Sequence, residues 1–223
     1  MNKKILNAGK RRVLLYYPDA CIDCPIVYTH ASEEEMEGVV SLVKDIRIIL
    51  AAVEEIDWNG ELSPWPAPKA FRGGEDFMGG ADAYIREFTE QIVPVVEESV
   101  GFIPQNRWIA GYSLAGLFAV YALYQTDLFS RGACISGSLW YDGFLDYMKE
   151  RTPLRIPDKV YFSLGDREAI TKNQRLSKVL DCTMEAENLM RELGSTVLFE
   201  LNAGNHFVDV SERVAKGLRW LYD

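Results

Sequence analysis

Short apolar runs alternate along the chain with longer segments of helical periodicity. The apolar runs are rich in β-branched and aromatic residues, and they predict strands near residues 11–17, 25–30, 47–53, 106–111, 131–136, 158–164 and 195–202. The helical segments lie near 33–43, 81–100, 113–125, 142–150, 170–193 and 208–222. Pro94 lies inside the second of them and predicts a kink or a division there. This alternation is typical of a mostly parallel sheet with helices on both faces, so we expect an α/β fold.

One long loop interrupts the alternation, at residues 54–80. It contains three prolines, five glycines and two tryptophans, and it has no regular period. Loops of this length in compact domains usually carry function or are disordered, and the aromatic side chains favour packing. We interpret the loop as one wall of a pocket. The alternative is a proline-stiffened surface loop packed on its own tryptophans.

Composition narrows the class of protein. The 223 residues are 48% hydrophobic and 26% charged, which suits one domain spanning residues 1–223. A formal net charge of −9 argues against nucleic acid as a partner, because nucleic-acid binding needs a broad basic surface. No run is long enough for a membrane helix or a signal-peptide core, so we expect a cytoplasmic protein that does not bind membranes. The sequence leaves the oligomeric state open.

Four cysteines are too few for a disulfide scaffold, and in a reducing compartment we expect thiols. Cys21 and Cys24 form a C-x-x-C pair, but a proline and an apolar strand follow in place of the helix that a redox pair needs. Cys134 and Cys182 do not supply the spacing of a zinc site. We therefore interpret the pair as part of a loop before a strand, and we expect neither a metal nor a cofactor.

The segment "IAGYSLAGLF", residues 109–118, places Ser113 between a predicted strand and a predicted helix. This is the position of a nucleophile elbow, where small neighbours let the strand and the helix approach each other. Gly111 and Gly116 are small, but Ala115 stands where the strict G-x-S-x-G motif has its second glycine. Ala115 can serve if it packs as a small residue without positive φ.

A serine hydroxyl needs a base to take its proton, and the chain has two histidines. His206 follows the last predicted strand, where α/β-hydrolases carry the base in the chain order serine, acid, histidine. His30 ends the second predicted strand and precedes the serine in the chain. We therefore expect His206 to be the base and His30 to have a structural role.

The acid is expected on the loop after the sixth predicted strand, in "SLGDRE". Asp166 is nearest the strand end but is also well placed to cap the next helix. Glu168 has the longer reach, although it also suits the first turn of a helix. The residues alone leave the choice between these two carboxylates open.

An oxyanion hole needs two N–H donors. One is expected from Leu114, which follows the candidate nucleophile, and the other from the loop after the second strand. That loop makes Ala31 or Ser32 the second donor.

Taken together, these segments resemble the putative esterase family of α/β-hydrolases, which is similar to esterase D, feruloyl esterases, siderophore esterases and mycolyltransferases. The resemblance rests on "YTHA", "DWNGELSPWPAPKAF", "GYSLAGL", "SGSLWY", "SLGDRE" and "NAGNHF" in that order. It implies Ser113 as nucleophile, His206 as base and Leu114 as an oxyanion donor, and it favours Glu168 as the acid. The chain departs from the family in Ala31, where a glycine is usual, and it is too short for a separate lid domain.

The resemblance also implies substrate contacts from Trp140 and Tyr141, for which core packing is the alternative. Trp65, in the long loop, is a third candidate contact. We predict a cofactor-free serine hydrolase that cleaves small or aromatic acyl esters through an acyl-serine intermediate. An acyltransferase with the same triad and a non-catalytic binding protein with this fold are the alternatives.

Overall fold

The computed structural model describes residues 1–223. Its strands are β1 Asn2–Ala8, β2 Arg11–Tyr17, β3 Ile26–His30, β4 Ile49–Val53, β5 Pro66–Ala67, β6 Phe77–Met78, β7 Arg107–Tyr112, β8 Arg131–Ile135, β9 Lys159–Gly165 and β10 Thr196–Asn202. Its α-helices are α1 Glu33–Val43, α2 Trp58–Glu61, α3 Ala81–Glu87, α4 Val93–Val100, α5 Leu114–Gln125, α6 Phe144–Glu150, α7 Val179–Glu192 and α8 Val210–Tyr222. A π-helical segment, Phe88–Ile92, joins α3 to α4, and a 3-10 turn, Leu176–Lys178, precedes α7.

Eight strands form one sheet in the order β1-β2-β4-β3-β7-β8-β9-β10. The six strands from β4 to β10 in this order are parallel, whereas β1 and β2 join the edge as antiparallel strands. The chain passes from β3 to β4 on one side and then returns across β3 to β7 on the other. Ligands of open α/β sheets bind at such a switch in strand order, outside the carboxyl ends of the strands.

Apolar side chains alternate between the two faces of this sheet, as the period of a strand requires. Along β3, Val27 belongs to one buried cluster and its neighbour Tyr28 to the other. Helices α1 and α8 cover the face of Val27, and α3 to α7 cover the face of Tyr28. The mostly parallel sheet with helices on both faces, predicted from the sequence, is confirmed. No helix of this structure has both the length and the apolar character needed to cross a bilayer.

The first strand was missed by the sequence prediction. In β1 only Leu6 and Ala8 are buried, because it is the edge strand and most of its side chains face solvent. Its apolar pattern is therefore too weak to read. A two-residue turn joins it to β2, and Gly9 takes φ of +62° there, a conformation that glycine adopts without strain.

Two predicted helices differ from the structure. The helix predicted from residue 170 begins at Val179, because the Asn173 side chain accepts the Arg175 N–H at 3.0 Å and holds a turn instead. The helix predicted over 81–100 is divided into α3, the π-helical segment and α4, with Pro94 at the start of α4. Proline has no N–H to donate to the carbonyl four residues earlier, which is why the division falls there.

The expectation of free thiols was wrong for one pair. Cys21 and Cys24 form a disulfide in the loop before β3, with their Cα atoms 5.6 Å apart. The loop placement itself is as predicted, but a C-x-x-C spacing does not say whether the loop curls enough to bring two sulfurs together. Cys134 and Cys182 are free.

Candidate active site

Four segments meet at the carboxyl edge of the sheet. They follow β3, β7, β9 and β10, and they carry Ala31, Ser113, Glu168 and His206 respectively. Parallel strands end on the same side of a sheet, so residues far apart in the chain come together there. His206 and Ser113, for example, are 93 positions apart and in hydrogen-bond contact.

Ser113 lies between β7 and α5 with φ of 57° and ψ of −120°, a conformation that is strained for any residue with a side chain. The strain is held by hydrogen bonds on both sides of it. Its N–H donates to the Ile135 carbonyl at 3.0 Å, and its carbonyl accepts from the Ser138 N–H at 3.0 Å. The turn has the geometry of a nucleophile elbow, with the serine at its apex.

The small neighbours of Ser113 have the roles expected of them. A Cβ at Gly111 would collide with the carbonyl oxygen of Ala115, so only glycine fits at that position. Ala115 lies inside α5, is fully buried and has no positive φ. The missing second glycine of the motif is therefore tolerated, because helical backbone at position 115 needs only a small side chain.

The imidazole of His206 bridges two other side chains. Its Nε2 lies 3.0 Å from Ser113 Oγ, and its Nδ1 lies 2.7 Å from Glu168 Oε2. An ionised carboxylate can only accept, so the proton belongs on Nδ1 and Nε2 is left to accept from the serine hydroxyl. The Tyr112 side chain holds the backbone of the histidine, since Tyr112 Oη donates to the His206 carbonyl at 2.6 Å.

The two candidate acids have different partners. Glu168 contacts His206, whereas Asp166 accepts the Gly204 N–H at 2.8 Å and supports the backbone of the histidine loop. Gly204 takes φ of +98° in that loop. The structure therefore brings Glu168, and not Asp166, to the imidazole.

Glu168 is held ionised. Its side chain is only 4% exposed, and burial by itself raises the pKa of a carboxyl. Hydrogen bonds from His206, from the Gly165 N–H at 2.6 Å and from Ser136 Oγ at 2.7 Å outweigh this effect, so the pKa of Glu168 lies below its ordinary value. The carboxylate can therefore orient the imidazole and stabilise its protonated form.

Arg213 is a residue of this site that the sequence analysis missed. Its side chain, 1% exposed, donates to Glu168 Oε1 at 3.1 Å and to the carbonyls of Ala203 and Asn205 at 3.0 and 2.9 Å. It thus ties the acid to the loop that carries His206. The available signal was an arginine on the apolar side of α8, at the first of the buried positions of that helix. Ser136, the other missed partner of Glu168, had no such signal.

One hydrogen bond distinguishes the candidate oxyanion donors from each other. Leu114 begins α5, so its N–H has no acceptor within the helix. Ser32 is the N-cap of α1, and its N–H donates to Glu35 Oε2 at 2.7 Å. Ser32 is therefore occupied by its capping box, and Ala31 is the remaining candidate from that loop.

His30 takes no part in the contacts around Ser113. Its ring is buried, its Nε2 lies 2.9 Å from Tyr84 Oη, and it packs edge-on against Phe118. Burial lowers the pKa of His30 to about 3, so the imidazole is neutral at physiological pH. The histidine packs in the core directly before Ala31.

A cavity of about 320 Å³, which we call the aromatic chamber, opens beside Ser113 and His206. The long loop forms one wall of it through Trp58, Phe71 and Phe77, as predicted, and Trp140 lines it from the other side. Hydrogen bonds from Asn173 and Arg175 to backbone carbonyls of residues 68–70 hold this wall in place.

Two predicted substrate contacts lie elsewhere. Tyr141 is buried, and its hydroxyl donates to the Trp65 carbonyl, so it faces the core and not the chamber. Trp65 packs against Phe144 and Tyr147, and its indole N–H donates to the Asp142 carbonyl at 2.9 Å. Both aromatic residues support the wall from behind. Of the three candidates only Trp140 lines the chamber.

Residues 10–202 match the family model described as "Putative esterase". The chain belongs to that family. The resemblance drawn from the sequence motifs is thereby confirmed, and the protein is a carboxylic ester hydrolase. The uncharacterized protein YbbA of Bacillus subtilis is 26% identical to this esterase over 234 residues, which cover 96% of this chain and 94% of YbbA.

Solved structures show the same α/β-hydrolase fold. An IroE-like serine hydrolase from Shewanella oneidensis superposes with a TM-score of 0.82 at 16% identity, covering 99% of this esterase and 79% of that protein. The siderophore hydrolase EstB from Aspergillus nidulans superposes with a TM-score of 0.74 at 19% identity, covering 97% and 92%. At these identities the likeness concerns the fold, and the chemistry has to be argued from the site.

Proposed function

We propose that this esterase cleaves small carboxylic esters through an acyl-serine intermediate, with Ser113 as nucleophile, His206 as base and Glu168 as acid. The observation that carries the proposal is the position of the His206 imidazole, 3.0 Å from the Ser113 hydroxyl and 2.7 Å from the Glu168 carboxylate. A nucleophile, a base within hydrogen-bond reach of it and a third group that orients the base are the requirements of covalent ester hydrolysis.

In the first step His206 Nε2 takes the proton of Ser113 Oγ as the oxygen attacks the ester carbonyl. The imidazole then carries a positive charge, which the Glu168 carboxylate stabilises across the Nδ1 hydrogen bond. The strained elbow supports this step, since it presents Oγ above the carboxyl edge of the sheet without rearrangement.

The carbonyl oxygen becomes an oxyanion, and two backbone N–H groups are proposed to hold it. Leu114 supplies one at the start of α5, where the helix dipole also favours negative charge. Ala31 supplies the other. When the tetrahedral intermediate collapses, His206 gives its proton to the leaving alcohol, and the acyl group stays on Ser113.

Water completes the reaction. His206 takes a proton from the water as it attacks the acyl carbonyl, and a second tetrahedral intermediate releases the carboxylic acid. The proton returns to Ser113 Oγ, so the enzyme is regenerated without a cofactor.

The size and lining of the aromatic chamber favour esters with small aromatic acyl groups as the substrate class. Its volume of about 320 Å³ lies at the lower end of the range for small-molecule sites, too small for a long lipid chain. Phe71, Phe77 and Trp140 line it and can stack on a ring. The structural neighbours include proteins named as a siderophore hydrolase and a ferulic acid esterase, and ferulic acid is itself aromatic.

The test is active-site labelling and turnover of p-nitrophenyl benzoate by wild type, Ser113→Ala and Ser41→Ala. Ser41 is an exposed serine on α1, away from the site, and serves as the matched control. We expect a p-nitrophenol burst and a fluorophosphonate adduct on Ser113 in wild type and in Ser41→Ala. Ser113→Ala should lose the adduct and about 10⁵–10⁶-fold in kcat. A fluorophosphonate adduct that persists in Ser113→Ala would overturn the proposal.

The organisation of residues 1–223 as one domain is part of the proposal, since the contacts of Ser113 draw on strands from both halves of the chain. The cytoplasmic location inferred from the sequence stays a prediction.

A further inference from the structure

A second cavity opens on the opposite side of Ser113 from the aromatic chamber. Its volume is about 260 Å³, and we call it the α1–α8 cavity after the two helices that form most of its wall. Met36 and Val39 line it from α1, and Val210 and Val214 line it from α8. These two helices cover the face of the sheet opposite to α5, whose Leu114 lines the aromatic chamber.

The two cavities share the reacting groups. Ser113 and His206 line both of them, and so do the exposed rings of Trp58 and Phe207, which stand between the two spaces. Ala31, the remaining candidate oxyanion donor of its loop, lines the α1–α8 cavity. An ester carbonyl held at Ser113 therefore has a lined space on each side of it.

The size of the α1–α8 cavity argues that it holds part of a molecule and not a whole ligand. Sites for whole small-molecule ligands usually measure about 300–1,000 Å³, and the α1–α8 cavity at about 260 Å³ falls below that range. The two cavities together fall within it. The combined space suits one substrate that extends in both directions from its scissile bond.

The lining of the α1–α8 cavity selects an uncharged aliphatic group. Met36, Val39, Val210 and Val214 supply the aliphatic half of its apolar wall. Of its aromatic residues, Trp58 and Phe207 are shared with the aromatic chamber, whose own wall adds Phe71, Phe77 and Trp140. One carboxylate lies at the rim, that of Glu35, and it is engaged by the N–H and hydroxyl of Ser32. No lysine or arginine lines the cavity to attract an anionic group.

The proton path indicates which half of the ester binds there. The leaving oxygen must receive its proton from His206 Nε2, so the alcohol half departs past the histidine. Phe207 and Val210 follow His206 in the chain. Phe207 borders both cavities, whereas Val210 lines only the α1–α8 cavity and places that cavity beside the departing alcohol. We propose that the α1–α8 cavity binds the alcohol half of the ester, as an uncharged aliphatic group of a few carbons, while the acyl half occupies the aromatic chamber. This inference rests on the proposed ester hydrolysis at Ser113.

The test compares two series of esters. Methyl and n-butyl benzoate differ only in the alcohol half, and methyl acetate and methyl benzoate differ only in the acyl half. Burial of one methylene favours binding about fourfold, so we expect wild-type kcat/KM to be at least about tenfold higher for the butyl than for the methyl ester. Because both benzoates form the same acyl-enzyme, kcat should be equal for them wherever deacylation limits turnover.

Val214→Phe fills the α1–α8 cavity from a half-buried position of α8. The extra methylenes of the butyl group then find no space, so the butyl-to-methyl ratio of kcat/KM should fall to within about twofold of one. The benzoate-to-acetate ratio should stay as in wild type. Ala70→Phe is the matched enlargement in the aromatic chamber and should change the benzoate-to-acetate ratio instead. Circular dichroism confirms that each variant is folded, and Val210→Phe replaces Val214→Phe if that variant is not.

The outcomes separate this inference from the proposed function. If wild type hydrolyses all the esters with the same kcat/KM for methyl and butyl benzoate, or if Val214→Phe changes acyl selectivity, the α1–α8 cavity does not bind the alcohol half. If wild type hydrolyses none of the esters, or if Ser113→Ala still takes up the fluorophosphonate, the proposed function itself fails.

Discussion

The ion pair between Arg213 and Glu168 offers the sharpest test of how the site is held together. Arg213→Met removes the charge but keeps a long apolar side chain in the same space. The guanidinium lies 3.1 Å from Glu168 Oε1, and the side chains of arginine and glutamate are 1% and 4% exposed. Solvent therefore cannot take over from the missing cation.

The expected cost follows from what each partner loses. Removing one member of a buried ion pair costs about 3–5 kcal/mol, because the other charge stays buried without compensation. Glu168 keeps its hydrogen bonds from Gly165, Ser136 and His206, which favours the lower end, about 3 kcal/mol. The carbonyls of Ala203 and Asn205 lie in an exposed loop where water can replace the lost donor, so they add little.

Urea unfolding at pH 7 of wild type, Arg213→Met, Glu168→Gln and the double variant measures this effect as a cycle. We expect the arginine substitution to cost at least about 2 kcal/mol more beside glutamate than beside glutamine, since only the former leaves a buried charge. Arg219 lies on the same helix as Arg213 but forms an exposed ion pair with Asp45. Arg219→Met should therefore have a free energy of unfolding close to that of wild type. Equal costs of Arg213→Met in both backgrounds would show that Arg213 does not compensate the charge of Glu168.

The same carboxylate and the buried histidine carry the remaining predictions. Glu168→Gln should lower kcat/KM about 10³–10⁴-fold by losing the charge that orients the imidazole, whereas Asp166→Asn, which supports only Gly204, should lose less than about tenfold. A larger loss in Asp166→Asn than in Glu168→Gln would reverse the assignment of the acid. His30 is neutral when folded, with a pKa of about 3, but takes up a proton when unfolded near pH 6.5. Stability should therefore fall as the pH drops through that range, by about 2 kcal/mol between pH 7 and pH 5 from this residue alone. Urea unfolding of His30→Gln at both pH values should lack this part of the fall, and an unchanged pH dependence would contradict the burial of a neutral ring.

Two segments carry side chains whose directions local sequence patterns do not predict. Asp166 and Glu168 are two positions apart after the same strand, and both are polar, exposed-looking residues in a pattern that fits a helix start. Only the path of the chain after Gly165 turns Glu168 inward and leaves Asp166 against the backbone of the histidine loop. The sequence places Arg213 on the buried side of α8. Its partner Glu168 lies on the loop after β9, and the helical pattern does not indicate that contact.

The architecture and the placement of the site follow from the order of residues along the chain. The alternation of apolar runs with helical periodicity predicts a parallel sheet, and parallel strands bring their carboxyl ends to one edge. The positions of Ser113 and His206 after their strands were therefore enough to predict that they meet. Three features depend on the folded chain: which carboxylate faces the imidazole, which loop N–H is already hydrogen-bonded, and which aromatic rings line the chamber. Those choices depend on the directions of side chains from segments that are distant in the chain, and local periodicity carries no information about them.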